Sequence, residues 1–188
     1  MKYFIGIDPG LQGCLCLMNS NGKVLFLPSK FCINVGKGST KNGGKKQNNI
    51  HDLVRMKDIL KKIIDKIDVK DIFVILEAQQ SMPKQGVAST FKIGKGFGAW
   101  EMALICFDFR YEVKHPKTWQ KLMFENVGGI DLKQKSLLIA KRLFPTIEFK
   151  KNHNKSDAVL IAEYARRKYN VSDRQEVCTE ARIDNQEC

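Results

Sequence analysis

No apolar run in this chain of 188 residues approaches the roughly 18 that cross a membrane. The first apolar stretch is interrupted by Asp8 and Pro9, so no signal peptide is expected either. Cysteine is present without a pattern: Cys14, Cys16, Cys32, Cys106, Cys178 and Cys188 show no zinc-ligand spacing. Cys14 and Cys16 are neighbours on one strand face, which is poor disulfide geometry. Reduced thiols, several of them in the core, and a reducing intracellular compartment are the expectation. A nucleotide cradle is missing as well, because Gly36-Lys37-Gly38-Ser39 lacks the GxxxxGK[ST] spacing. Acids are short relative to bases: 20 Asp and Glu stand against 32 Lys and Arg, a net charge of +12 at pH 7. That excess favours a polyanionic partner, nucleic acid ahead of an anionic membrane, and carries no base preference.

What is present has ordinary proportions, 43% hydrophobic and 28% charged, enough for one domain with a sizeable core. Tyr3-Phe4-Ile5-Gly6-Ile7 reads as a central strand covered on both faces, and it stops at Asp8 before Pro9-Gly10. Gly13 to Met18, the turn Asn19-Ser20-Asn21-Gly22 and Lys23 to Leu27 complete an antiparallel meander. Residues 36–49 read as a cationic, glycine-rich loop with Lys37, Lys41, Lys45 and Lys46 and no acid. Such a loop either touches a phosphate backbone or is simply solvated. Apolar spacing predicts an amphipathic helix over roughly 51–67. Asp71 to Glu77 is a buried-type strand that ends in an acid, as the first strand does.

Val87 to Cys106 reads as a long helix despite Gly94, Gly96 and Gly98. Each glycine is unfavourable by roughly 1 kcal/mol relative to Ala, tolerable where the helix must approach the sheet or another helix closely. Phe109 to Lys114 is a further strand. Helices follow from Pro116, over 133–143 and over 154–168. Nothing repeats and no linker intervenes, so residues 1–168 are expected to form one α/β domain and 169–188 a loosely ordered polar tail.

Asp8 alone could open a turn, and Asp157 alone could be an acid favoured by a helix N-terminus. Two neighbouring strands that both end in carboxylates, however, place like charges side by side, which a bound cation would relieve. Asp8, Glu77 and Asp157 would form an oxygen-rich group suited to Mg²⁺ or Mn²⁺. His153, four residues before Asp157, shares its helical face as a fourth ligand or a water-positioning group. A surface histidine at a helix start is its other reading.

Three blocks in order across most of residues 1–168 together resemble the RuvC-type Holliday-junction resolvases of the RNase H-like superfamily. They are Ile5-Gly6-Ile7-Asp8-Pro9-Gly10, Glu77 with Ser89 to Gly98, and His153 to Ala162. Bacterial members commonly carry an acid or histidine three residues before the last acid, where this chain has Asn154. The chloroplast members look closer, with histidine four residues before it, so the fourth role passes to His153.

The resemblance implies an RNase H-like fold: a five-stranded mixed sheet, an antiparallel meander then parallel strands, flanked by helices. It implies metal-assisted phosphodiester hydrolysis with two ions, Asp8 shared, Glu77 on one ion, and Asp157 with His153 on the other. A catalytic lysine after the penultimate strand would be Lys121, or failing that Lys117. A homodimer would nick two opposed strands of a four-way DNA junction and leave 5′-phosphates. Lys84, Lys92, Lys95, Lys117, Lys41 and Lys45 would hold the backbone, while Phe91, Phe97 and Trp119 would stack on unpaired bases, core packing being the other reading of each aromatic. Alternatives are a related nuclease of flaps, forks or RNA–DNA hybrids, and a non-catalytic junction-binding module, which Asn154 favours. An actin-like ATPase would need two lobes, for which the chain is too short.

Overall fold

The computed structural model describes residues 1–39, 45–80, 85–125, 127–128, 131–149 and 153–183, with side chains for all of these but 37–39, 45–47 and 171–183. Lys41 and Lys84 therefore lie outside the described residues. Strands β1 (Tyr3–Asp8), β2 (Cys14–Asn19) and β3 (Val24–Phe26) form the expected meander. Next come β4 (Cys32–Ser39) and β5 (Lys45–His51), then helix α1 (Leu53–Ile64), a short 3-10 turn at Val69–Asp71, and β6 (Ile72–Glu77). Helix α2 (Val87–Cys106), strand β7 (Arg110–Lys114), and helices α3 (Pro116–Met123), α4 (Leu132–Leu143) and α5 (His153–Ile183) complete the chain.

The main sheet has five strands in the order β3-β2-β1-β6-β7. β1 pairs antiparallel with β2 and parallel with β6, and β6 pairs parallel with β7. This is the mixed sheet that the resemblance implies. Alternation along the strands sorts side chains into two cores. Ile5, Ile7, Ile72, Val74 and Leu76 pack with Met56, Leu60, Trp100 and Leu104 from α1 and α2. Phe4, Phe73 and Ile75 face the other way, toward Trp119, Ile139 and the Ala158–Ala162 stretch of α5.

Two expectations change. Of the stretch read as a loop, residues 36–39 and 45–49 are strand instead: β4 and β5 make a separate two-stranded antiparallel ribbon. Ladder hydrogen bonds define these strands, and a glycine- and lysine-rich ribbon carries too little hydrophobic alternation to announce itself. The last helix also runs to Ile183, beyond the end at Lys168 that its apolar face predicts. After Asn170 the chain has no proline or glycine to stop it and carries Arg, Gln and Glu, which favour helix. No helix among the described residues is long and apolar enough to cross a membrane.

The contact that sets the layer spacing is at Gly6. A Cβ there would stand 2.4 Å from the Ala158 carbonyl oxygen and 2.4 Å from the Ala162 amide nitrogen. Both partners are backbone, so neither can swing aside. Gly6→Ala should therefore destabilise the fold by about 3 kcal/mol or more. Gly98→Ala, where a new Cβ meets nothing within 4 Å, should instead stabilise α2 by up to about 1 kcal/mol. Urea unfolding of both variants checks this; similar small effects would show that α5 is not seated on Gly6.

Candidate active site

Strand parity brings two of the predicted acids to one face. On β1, Phe4 and Gly6 face α5, and the next residue of that parity is Asp8. On β6, Phe73 and Ile75 face the same core, and the next is Glu77. The parallel register pairs Ile7 with Leu76, so Asp8 and Glu77 end adjacent strands at the same level. Helix α5 crosses this face with Ala158 over Gly6, which sets Asp157, one residue earlier, above the acid end of β1. Asp8 feels the charge of Asp157, and Glu77 feels both. The three acids predicted from sequence are thus brought together.

Each acid is held by a neutral donor. The Gly10 amide donates to Asp8 Oδ1 at 3.1 Å, inside the turn expected at Pro9-Gly10. Trp119 Nε1 donates to Glu77 Oε1 at 2.9 Å. Ser136 Oγ on α4 donates to Asp157 Oδ1 and lies 3.1 Å from Ser156 Oγ, itself a donor to the His153 carbonyl at 2.8 Å.

Burial pushes the Asp8 carboxyl from 3.8 up to about 7, with Asp157 adding to the rise and the Gly10 amide opposing it. Burial likewise pushes Glu77 from 4.5 up to about 8, reinforced by Asp8 and Asp157 and opposed by the indole of Trp119. Asp157 is also raised by burial, against Ser136, His153 and Lys133. Glu163 on the same helix makes the contrast. It is 4% exposed, and burial raises it too, yet Arg166 Nε and Arg167 Nε at 2.7 Å reverse the sign and hold it below the usual range. A buried acid that serves the packing of α5 receives guanidinium partners here, whereas among the described residues Asp8 and Glu77 receive neutral donors.

An all-oxygen set of carboxylates, short of positive partners, matches the donor chemistry of Mg²⁺ or Mn²⁺. Among the described residues no three His, Cys, Asp or Glu side chains stand close enough together to ligate one ion. The acids form a group in electrostatic contact rather than a finished three-ligand cage.

The remaining candidates divide. His153 begins α5 with Nδ1 3.1 Å from the Lys133 carbonyl, near enough to Asp157 to lower it. Asn154 is engaged elsewhere, since its Nδ2 donates to the Gln12 carbonyl at 2.6 Å and ties α5 to the turn after Asp8. Trp119 is corrected. It is fully buried, its indole faces Glu77, and no base can stack on it. Lys117 and Lys121 are exposed, each two residues from Trp119 and so about 200° around α3 from the face that meets Glu77. On α2, Phe91 is 71% exposed and Lys95 is exposed, whereas Phe97 is partly buried against the α1–α2 core. Lys92 Nζ is engaged with Asn48 Oδ1 at 2.7 Å and with the Asn49 carbonyl at 3.3 Å. Lys45 opens β5. Ser136 was not foreseen, since a serine amid the apolar face of α4 carries no local signal. The i, i+4 pair Trp119 and Met123 could have flagged Trp119 as core.

No protein-family model matches this sequence, and no curated protein does either. Among solved structures, Thermus thermophilus RuvC in complex with a Holliday-junction substrate matches at a TM-score of 0.54 and 14% identity, over 87% of this chain and 92% of that one. A second Thermus thermophilus RuvC structure matches at 0.51 and 17% identity, over 86% and 92%. The chain has the fold of RuvC. The yeast mitochondrial Holliday junction resolvase also matches, at a TM-score of 0.44 and 11% identity over 94% and 83% of the two chains. The closeness to chloroplast resolvases rests on the histidine spacing alone. Within the RuvC fold, the acids of this chain lie at the ends of the two central strands β1 and β6 and at the start of α5.

Because the folded-state values of Asp8 and Glu77 lie above their ordinary ones, these groups favour folding at low pH. That contribution is lost as pH rises through about 7 and about 8. In EDTA, Asp8→Asn should therefore gain stability over the wild type by about 1–3 kcal/mol at pH 8.5 and by much less at pH 5. Denaturant unfolding at the two pH values decides it; a gap that does not widen with pH means that burial and the neighbouring acid do not raise Asp8.

Proposed function

We propose that the protein is a structure-selective DNA endonuclease that resolves four-way junctions by paired, metal-dependent nicks. The observation that carries this reading is the convergence of Asp8, Glu77 and Asp157, two of them at equal height on parallel strands and the third on the helix seated over Gly6. The RuvC fold supports it, as does a net charge of +12 around an acidic site, since a polyanion must be drawn in and then met by cations.

Asp8 would be shared between two Mg²⁺ or Mn²⁺ ions, with Glu77 toward one and Asp157 and His153 toward the other. Bound there, the ions would lower the pKa of a water so that it gives up a proton and is available as hydroxide to attack phosphorus, and would offset the charge on the departing 3′ oxygen. The chain's own part is orientation. Trp119 fixes which oxygen of Glu77 remains free, Ser136 does the same for Asp157, and the Lys133 carbonyl sets the ring of His153. Lys95, Lys117 and Lys121 are exposed; Lys95 and Lys117 would meet backbone phosphates, and Lys121 would be the catalytic lysine that the resemblance implies. Phe91 is the exposed aromatic available to an unstacked base. A homodimer would match the two-fold symmetry of the junction and place two sites on opposed strands.

Mapping nicks on a mobile four-way junction with Mg²⁺, beside a flap and an RNA–DNA hybrid at equal concentration, tests the reading. Paired symmetric cuts in the junction are expected, and preferential cutting of the flap or hybrid would replace it with a different substrate. Asp8→Asn should abolish cleavage while junction binding persists. Trp119→Phe, which keeps an aromatic side chain but removes the donor to Glu77, should lower cleavage about 10–100-fold. Full activity of Asp8→Asn would remove the acids from the chemistry, and full activity of Trp119→Phe would remove the indole from the orientation of Glu77.

A further inference from the structure

We propose that the β4–β5 ribbon is a backbone-binding arm, which lies along the phosphates of a DNA duplex beside the acid group and is held in place by α2. The proposal deepens the nuclease reading and rests on it for the identity of the polyanion. The ribbon starts at the acid-bearing end of the main sheet. Cys14, the register partner of Asp8, also bridges to Ser29, and Lys30 N donates to the Gly13 carbonyl at 2.9 Å. Gln12, in the turn after Asp8, reaches Cys32 Sγ with Nε2 at 3.3 Å while its carbonyl accepts from Asn154. One turn thus touches the root of the ribbon and the first turn of α5.

The base of the ribbon is anchored. Asp52 N donates to the Phe31 carbonyl at 2.8 Å, and the fully buried Phe31 packs edge-on against Trp100 of α2 at 4.9 Å. Gly96 answers to this arm rather than to the sheet or a neighbouring helix: a Cβ there would fall 2.0 Å from His51 Nε2. One turn earlier, Lys92 spans to Asn48 and Asn49. The lysine foreseen as a phosphate ligand is a strut instead.

Charge lies beyond the anchor. The register breaks between Asn34 and Lys37, where Gly36 has a φ of 135°, and past that break the rungs are Lys37–Gln47, Gly38–Lys46 and Ser39–Lys45. Over 32–51 there are four lysines and no acid. Ile33 and Val35, 44% and 48% exposed, would allow this ribbon to pair with that of a second copy. Two such ribbons would set like charges against each other, which disfavours self-pairing and suits a line of phosphates. Such contacts carry no base preference.

The test uses the full chain in an Asp8→Asn background with EDTA, so that binding is measured apart from cleavage. Lys37, Lys45 and Lys46 changed together to Gln should weaken four-way junction binding about tenfold or more near 0.1 M salt. The slope of log affinity against log salt should fall by about 2–3. Melting and oligomeric state should not change. Lys45→Glu alone should act in the same direction and serves if the triple variant does not fold. Lys92→Met should weaken binding without reducing the slope, because it loosens the arm but keeps its lysines. Unchanged affinity and slope, or a changed oligomeric state in their place, would overturn the arm. Loss of binding in the lysine variants together with a wild type that cuts no junction would sink the nuclease reading and leave the arm standing.

Discussion

Everything at the acidic end of this molecule depends on how close α5 comes to β1. The helix can sit on the sheet because Gly6 presents no side chain to it and because Ala158, Ala162 and Ala165 keep its own contact face thin. Backbone against backbone is a stiff contact, with little freedom to slide or tilt. Asp157 inherits its position from that seat, while Asp8 and Glu77 inherit theirs from the ladder between β1 and β6. A helix resting on a larger residue would stand farther off, and the third acid would leave the other two. The serine pair between α4 and α5 and the Asn154–Gln12 contact then hold the start of the helix in place.

The electrostatics follow from this geometry. Three acids are gathered where the sheet ends, in a protein whose net charge is +12, and no cation among the described residues is a cause of the shifts at Asp8 and Glu77. Glu163, by contrast, holds two arginines. Arginine partners hold Glu163 below the usual carboxylate range, whereas burial and the neighbouring acids leave Asp8 and Glu77 raised. Under the proposed function, the basic exterior and the acidic interior would serve different stages of one encounter, attraction of a polyanion and chemistry on it.

Helix α2 links these stages. Its inner residues Trp100 and Leu104 belong to the core under the sheet, Gly96 and Lys92 grip the β4–β5 ribbon, and Phe91 near its start remains exposed. A single rigid element thus connects the sheet, the lysine-bearing ribbon and an exposed aromatic. Glycines that look like a weakness in helix propensity have different causes: Gly96 is demanded by the ring of His51, whereas Gly94 and Gly98 meet nothing within 4 Å. The structure shows no steric reason for those two.

Much of this was legible locally. Tyr3 to Asp8 and Ile72 to Glu77 announce themselves because a strand's alternation and its terminal acid fall within a few residues, and α2 and α3 have the ends their apolar spacing and Pro116 suggest. The acid triad could be named for the same reason, each member marking the end or start of a recognisable element. Where those elements meet was another matter. Trp119 looked like a stacking surface and proved to be a buried donor to Glu77, Lys92 became a strut, and a lysine-rich loop became a ribbon. Such outcomes turn on which strands adjoin, which way α3 is rotated and what α2 packs against. The Trp119 and Lys92 contacts join residues 42 and 44 positions apart, and pattern along the chain carries no record of them. The ribbon's rungs are local but lack the hydrophobic alternation that would mark them.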